Sequence, residues 1–141
     1  MKAKIHIHTE QTEWATASSY PEELQKVVRW KTLMGGESQS IPLEEVLMGV
    51  LDLEAGGYYP LHSHPSPEIY YVISGTAEWT VGEETFAATP GMAIYHASDI
   101  PHRMVNNGDD PLRTVWFWWA PDGKKDVLKE GVRLLEPMPG N

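Results

Sequence analysis

The sequence predicts an all-β fold, a sandwich or barrel, and three observations carry that reading. Twelve glycines and eleven prolines punctuate short apolar segments at close spacing. From Val46 onward those segments have strand lengths rather than helix lengths. Only one stretch carries the signals of a helix start.

That stretch is Ser18-Ser19-Tyr20-Pro21-Glu22-Glu23-Leu24, with a serine cap, an early proline and acids in the first turn. It predicts one short helix around residues 21–28. The strands expected after it are Glu45–Glu54, Tyr59–His64, Glu68–Ser74, Thr76–Val81, Glu84–Ala88, Met92–Tyr95, His102–Asn106 and Leu112–Trp119. Turn signals separate them, among them Gly56-Gly57, Pro65-Ser66-Pro67, Gly82-Glu83, Pro90-Gly91 and Ser98-Asp99. The strongest lies in 106–111, where Asn107-Gly108 predicts the positive φ angles of a tight hairpin. A further strand is expected at Lys4–His8. The chain thus divides into 1–45, an N-terminal strand and short helix packing on a barrel; 46–120, the barrel; and 121–141, a C-terminal tail.

Parity sorts the aromatic run Trp116-Phe117-Trp118-Trp119. Successive strand side chains point to opposite faces, so Trp116 and Trp118 share one face and Phe117 and Trp119 the other. Both faces are expected to be covered, one by the barrel interior and one by a second layer or subunit.

Composition narrows the partners. Twenty acidic against eleven basic residues leave a net charge of −9, a surface that repels phosphate backbones and anionic headgroups. Nucleic acid and membrane are therefore not expected partners. A small-molecule substrate is, because a bound cation can dominate its own pocket whatever the global sign. No apolar run reaches membrane-helix length and Met1–Glu13 has no signal-peptide core, which predicts a soluble, cytoplasmic protein. The absence of cysteine removes disulfides and thiolate metal sites.

One stretch carries chemistry. His62 and His64 lie two apart, hence on one face of an extended strand, with imidazoles able to converge on one ion. Glu68 follows the turn residues Pro65, Ser66 and Pro67, where a restarting strand can return its carboxylate to the same ion. His102 supplies a fourth ligand from a distant strand. Imidazole with carboxylate suits divalent Fe, Mn, Ni or Zn. A lone His-x-His is common, and His6 and His8 read as ordinary strand residues.

The full spacing is more specific. Glycine, five residues, His, one, His, three, Glu, six and glycine run from Gly56 to Gly75 without a gap, which resembles the first motif of the cupin superfamily. The second motif (Gly, five, Pro, one, Gly, two, His, three, Asn) is matched at Gly91, His102 and Asn106, with Ala97 where proline is usual and Asp99 where glycine is usual. Both departures bear on the turn before His102, where Pro101 could supply stiffness. The resemblance covers roughly Val46 to Ala120. It implies a double-stranded β-helix, or jelly-roll barrel, with a short N-terminal helix, and one divalent metal ion on His62, His64, Glu68 and His102.

Val28-Arg29-Trp30-Lys31-Thr32-Leu33, Met48-Gly49, Leu61-His62-Ser63-His64-Pro65 and Glu68-Ile69-Tyr70 are similar to the small cupin lyases of dimethylsulfoniopropionate. That resemblance implies Tyr70 as catalytic base and β-elimination from a small organic acid. Tyr70 shares strand parity with Glu68, so a cation held there would favour its phenolate, which otherwise forms only near pH 10. Those lyases also carry a functional tyrosine in the C-terminal tail, whereas Lys124–Asn141 contains none; Tyr58 or Tyr59 could stand in. Tyr59, Trp79, His96, Trp116 and Trp118 are the expected substrate-binding residues. Arg103 is expected to be exposed, and Asn106 to hold strand geometry. The ligand set also fits an Fe(II) dioxygenase, a sugar or keto-acid isomerase, or a non-enzymatic ligand-binding barrel. The spare N-terminal strand and aromatic faces predict a homodimer.

Overall fold

A computed structural model describes residues 3–36 and 39–136. Met1, Lys2 and the last five residues of the expected tail lie outside the described residues. Among the described residues, ten strands form two antiparallel five-stranded sheets packed face to face. In chain order they are β1 (Arg29–Met34), β2 (Val46–Leu53), β3 (Tyr58–Ser63), β4 (Glu68–Ser74) and β5 (Ala77–Val81). Then come β6 (Glu84–Ala88), β7 (Ala93–His96), β8 (His102–Val105), β9 (Leu112–Trp119) and β10 (Arg133–Leu134). One sheet has the order β1-β2-β9-β4-β7 and the other β10-β3-β8-β5-β6. This is the all-β jelly-roll barrel expected from the sequence. No helix among the described residues is long and apolar enough to cross a membrane.

Alternation places the core. Along β4, Glu68, Tyr70 and Val72 are buried while Ile69, Tyr71 and Ile73 are exposed. Leu51, Leu53, Trp79, Met104, Leu112 and Trp116 meet Tyr70 and Val72 between the sheets. The short helix α1 (Glu22–Val27) buries Leu24 against this core, with Tyr20 beside it. Its start differs from expectation: Pro21 occupies the N-cap and no side chain caps it. Proline has already set the backbone angle there, and Glu22 and Glu23 complement the first-turn dipole.

Three other expectations change. Lys4–His8 lies outside any strand; the strand in the first 45 residues is β1, paired with β2. The 106–111 loop is no hairpin, because β8 and β9 belong to different sheets and neither Asn107 nor Gly108 has positive φ. The loop instead crosses between sheets, held by Asn106, whose side-chain amide donates to the carbonyls of Leu53 and Asp110 and accepts from the Gly108 N–H. The tight two-residue hairpin is at Gly82-Glu83, with Gly82 at φ +59°. Finally, the outer face carrying Phe117 is not covered by a second layer of this chain: Ile69, Tyr71, Ile73, Tyr95 and Phe117 are all exposed.

Candidate metal centre

Strand register assembles the site. His62 on β3 pairs directly across from His102 on β8, and their ring centroids lie 4.0 Å apart. On the other sheet Glu68 sits between two cross-strand partners, His96 on β7 and Trp118 on β9. Both use that register. The Trp118 indole N–H donates to Glu68 Oε2 at 2.6 Å, and His96 Nδ1 lies 3.2 Å from Glu68 Oε1. His64, just past β3, brings Nε2 to 3.1 Å from the same Oε1 and stacks its ring on Trp118. His102 Nε2 stands 3.4 Å from it.

The three motif histidines are pinned in one tautomer. Nδ1 of His62 faces the Pro60 carbonyl at 2.7 Å, that of His64 the Ser66 carbonyl at 2.8 Å, and that of His102 the Ile100 carbonyl at 2.9 Å. A carbonyl only accepts, so each Nδ1 carries the proton and each Nε2 presents a lone pair. The His102 Nε2 is buried and has no hydrogen-bond partner. The ligating atoms of His64, Glu68 and His102 all lie within 4.8 Å of one another. His62 falls outside that close group, beside His102.

This donor set fits a divalent cation. Lone pairs of His64 and His102 converge on an anionic oxygen, a repulsive arrangement unless the rings take second protons or a cation sits among them. Burial opposes charge on Glu68, but the surrounding imidazoles of His102, His64 and His96 together outweigh it and hold the carboxyl well below its usual range. Burial, with His102 nearby, pushes His62 well below its ordinary value, so its ring stays neutral as a ligand requires. His96 is lowered to about 4, chiefly by burial.

The turn that delivers His102 shows how Asp99 replaces glycine. Asp99 has φ +61°, the left-handed conformation for which glycine is the usual residue and which aspartate tolerates. Its N–H bonds the His64 carbonyl at 2.9 Å, tying the two ligand segments together.

A cavity of about 210 Å³ opens onto this cluster. Tyr59, Tyr70, Trp116 and Trp118 line it together with His62, His64 and Glu68. Trp79 and His96 do not; they lie behind Glu68, away from the cavity lining. Tyr59 reaches the cavity through a β-bulge between Tyr59 and His62 at Pro60 and Leu61. In a regular strand, residues three apart such as Tyr59 and His62 would face opposite ways. The bulge stacks the Tyr59 ring on His62 at 3.7 Å. Burial pushes the phenols of both Tyr59 and Tyr70 well above 10, with neighbouring Tyr20 adding to the first and the Glu68 charge to the second.

Other contributors come from outside the two cupin motifs. Tyr20 reaches in beside the helix and shares a 2.5 Å hydrogen bond with the Tyr59 hydroxyl; burial raises its phenol to about 12. Trp30 and Thr32 of β1 line the cavity, as do residues 128–132. After these residues β10 pairs with β3, and Glu136 accepts from the Tyr58 hydroxyl, the Leu61 N–H and, at 3.4 Å, Arg103. Arg103 is thus half-buried and paired rather than freely exposed.

The cupin domain family matches residues 49–118, the span that holds all four motif ligands. The chain belongs to the cupin superfamily. It is 32% identical over 84 residues to the dimethylsulfoniopropionate lyase DddQ of Ruegeria pomeroyi, covering 59% of this chain and 41% of that one. It is 34% identical over 68 residues to an uncharacterised protein of Methanocaldococcus jannaschii, covering 48% of this chain and 54% of the other. The chain thus spans about half the length of these curated relatives. The crystal structure of the Ruegeria pomeroyi lyase superposes with a TM-score of 0.76 at 25% identity, over 92% of this cupin and 64% of that chain. The polyketide cyclase RemF of Streptomyces resistomycificus, at 16% identity and TM-score 0.72 over 96% of this chain and 88% of its own, shares the fold.

Proposed function

We propose that this cupin is a metal-dependent lyase that performs β-elimination on a small organic acid, as its dimethylsulfoniopropionate lyase relatives do on theirs. The observation that carries the reading is the shared inward face of β4. Tyr70 projects two residues beyond Glu68 into the cavity bounded by His62 and His64. His62, His64, Glu68 and His102 are the residues that would hold the ion, whether Fe, Mn, Ni or Zn. Such an ion supplies positive charge that acidifies the C–H bond beside a carboxylate or carbonyl and favours phenolate over phenol.

The chain's own residues do the rest. Trp116, Trp118 and Leu51 give the pocket apolar walls that exclude water, and its volume suits a molecule of a few heavy atoms. Tyr70 Oη takes the proton from the α-carbon, the C–H electron pair becomes the new C=C bond, and the β-carbon's leaving group departs with its own pair. Burial works against ionising Tyr70, so its basicity depends on a loaded centre. The bond between the Tyr20 and Tyr59 hydroxyls supports Tyr59 as the stand-in for the tail tyrosine of those lyases. Tyr70→Phe is expected to abolish alkene formation while metal content per chain, measured by elemental analysis, stays that of the wild type. Turnover by Tyr70→Phe at the wild-type rate would refute this mechanism.

The protein is also proposed to pair with a second copy of itself. The unpaired edge of β7 and the apolar rows of Ile69, Tyr71, Tyr95 and Phe117 support this, since one two-fold contact would cover both.

A further inference from the structure

His96 is wired in the reverse sense to the other site histidines. It is fully buried, and its Nε2 lies 3.0 Å from Nε1 of Trp79, which comes from the opposite sheet. An indole nitrogen only donates, so His96 Nε2 must accept and the ring's proton belongs on Nδ1. That Nδ1 is the atom 3.2 Å from Glu68 Oε1. Whereas His62, His64 and His102 spend their Nδ1 protons on backbone carbonyls and leave Nε2 free, His96 has no free lone pair.

We propose that Trp79 and His96 form a positioning relay for Glu68. Trp79 locks the tautomer of His96, and His96 donates to Glu68 Oε1 while Trp118 donates to Oε2. The carboxylate is thereby clamped from both sides at the rotamer that faces His64 and His102. Neither Trp79 nor His96 lines the substrate cavity, so both act through Glu68 rather than by touching substrate. The inference rests on the metal-centre reading above and assigns these two residues a role other than substrate binding.

The test uses the full chain and Co(II) alone as the probe. Affinity is read by competition with a chromophoric chelator, and folding of each metal-free variant by far-ultraviolet circular dichroism. His96→Leu is expected to weaken Co(II) binding about 10- to 100-fold, the usual cost of losing a hydrogen bond to a ligand. His96→Asn places an amide N–H near the former Nδ1 and is expected to recover binding to within about threefold of wild type. A role limited to packing would not give that rescue, since asparagine fills less of the site than leucine does. In wild-type protein, nitrogen-15 NMR of the imidazole is expected to show His96 protonated on Nδ1 alone, and Trp79→Phe to mix its tautomers. Co(II) affinity unchanged in His96→Leu, or an Nε2-protonated His96 in the wild type, overturns this inference while leaving the metal centre standing. A wild-type chain that takes up no Co(II) overturns both. Should His96→Leu fail to fold, the asparagine variant and the wild-type tautomer decide.

Discussion

Removing the Asn106 side chain tests whether the two sheets are tied together by one buried amide. Asn106 is fully buried, and its amide nitrogen lies 2.9 Å from both the Leu53 and Asp110 carbonyls while its oxygen accepts from Gly108 N–H at 3.1 Å. Asn106→Ala deletes three hydrogen bonds at about 1 kcal/mol each and strands their backbone partners, a loss of roughly 3 kcal/mol. With an unfolding entropy of about 2.1 cal/mol/K per residue, that corresponds to a Tm lower by about 10 °C for a chain of this length. Asn106→Asp is the sharper variant. It keeps the shape but turns an oxygen toward two carbonyl oxygens, so at neutral pH it is expected to be at least as destabilising as alanine. It should regain stability in acid, where the protonated carboxyl can donate to one of them. Equilibrium urea unfolding of the metal-free protein, followed by tryptophan fluorescence at pH 7 and pH 4, reads both effects. An alanine variant within about 1 kcal/mol of wild type, below the cost of even one stranded buried group, would refute the assignment of Asn106 as the tie.

Two further outcomes follow from the geometry. The Tyr20 phenol ionises near 10 when unfolded and near 12 when folded, so between those values the folded state binds the extra proton. Stability should therefore fall as pH rises through that window, by on the order of 2–3 kcal/mol for Tyr20, and Tyr20→Phe should flatten the slope in alkaline urea titrations. Sedimentation velocity is expected to give twice the 15.9 kDa chain mass, with Tyr95→Lys shifting it to the monomer; a wild-type monomer at micromolar concentration would sink the paired arrangement.

Much of the fold and half of the site were legible along the chain. The alternation that buries Glu68 and Tyr70 and turns Ile69 and Tyr71 outward is written in residue order, as is the shared face of Trp116 and Trp118. The motif spacing named the ligand candidates, of which His64, Glu68 and His102 form the close group and His62 stands beside it. Strand β1 was missed because Arg29–Met34 is mostly half-buried rather than alternating, and β10 because two residues carry no period.

What lay beyond reach depended on contacts between distant segments. Tyr59 faces the cavity because β3 bulges at Pro60 and Leu61, which parity alone would deny. Trp79 and His96 stand behind Glu68 rather than along the cavity because β5 and β7 lie in facing sheets at the register that brings indole to imidazole. Asn107-Gly108 reads as a hairpin locally, yet its flanking strands pair elsewhere. Side-chain alternation is a property of one strand and is set by backbone geometry every two residues. Register, bulges and sheet partners are settled by the summed burial and hydrogen bonding of the whole barrel, and no short window of sequence contains that sum.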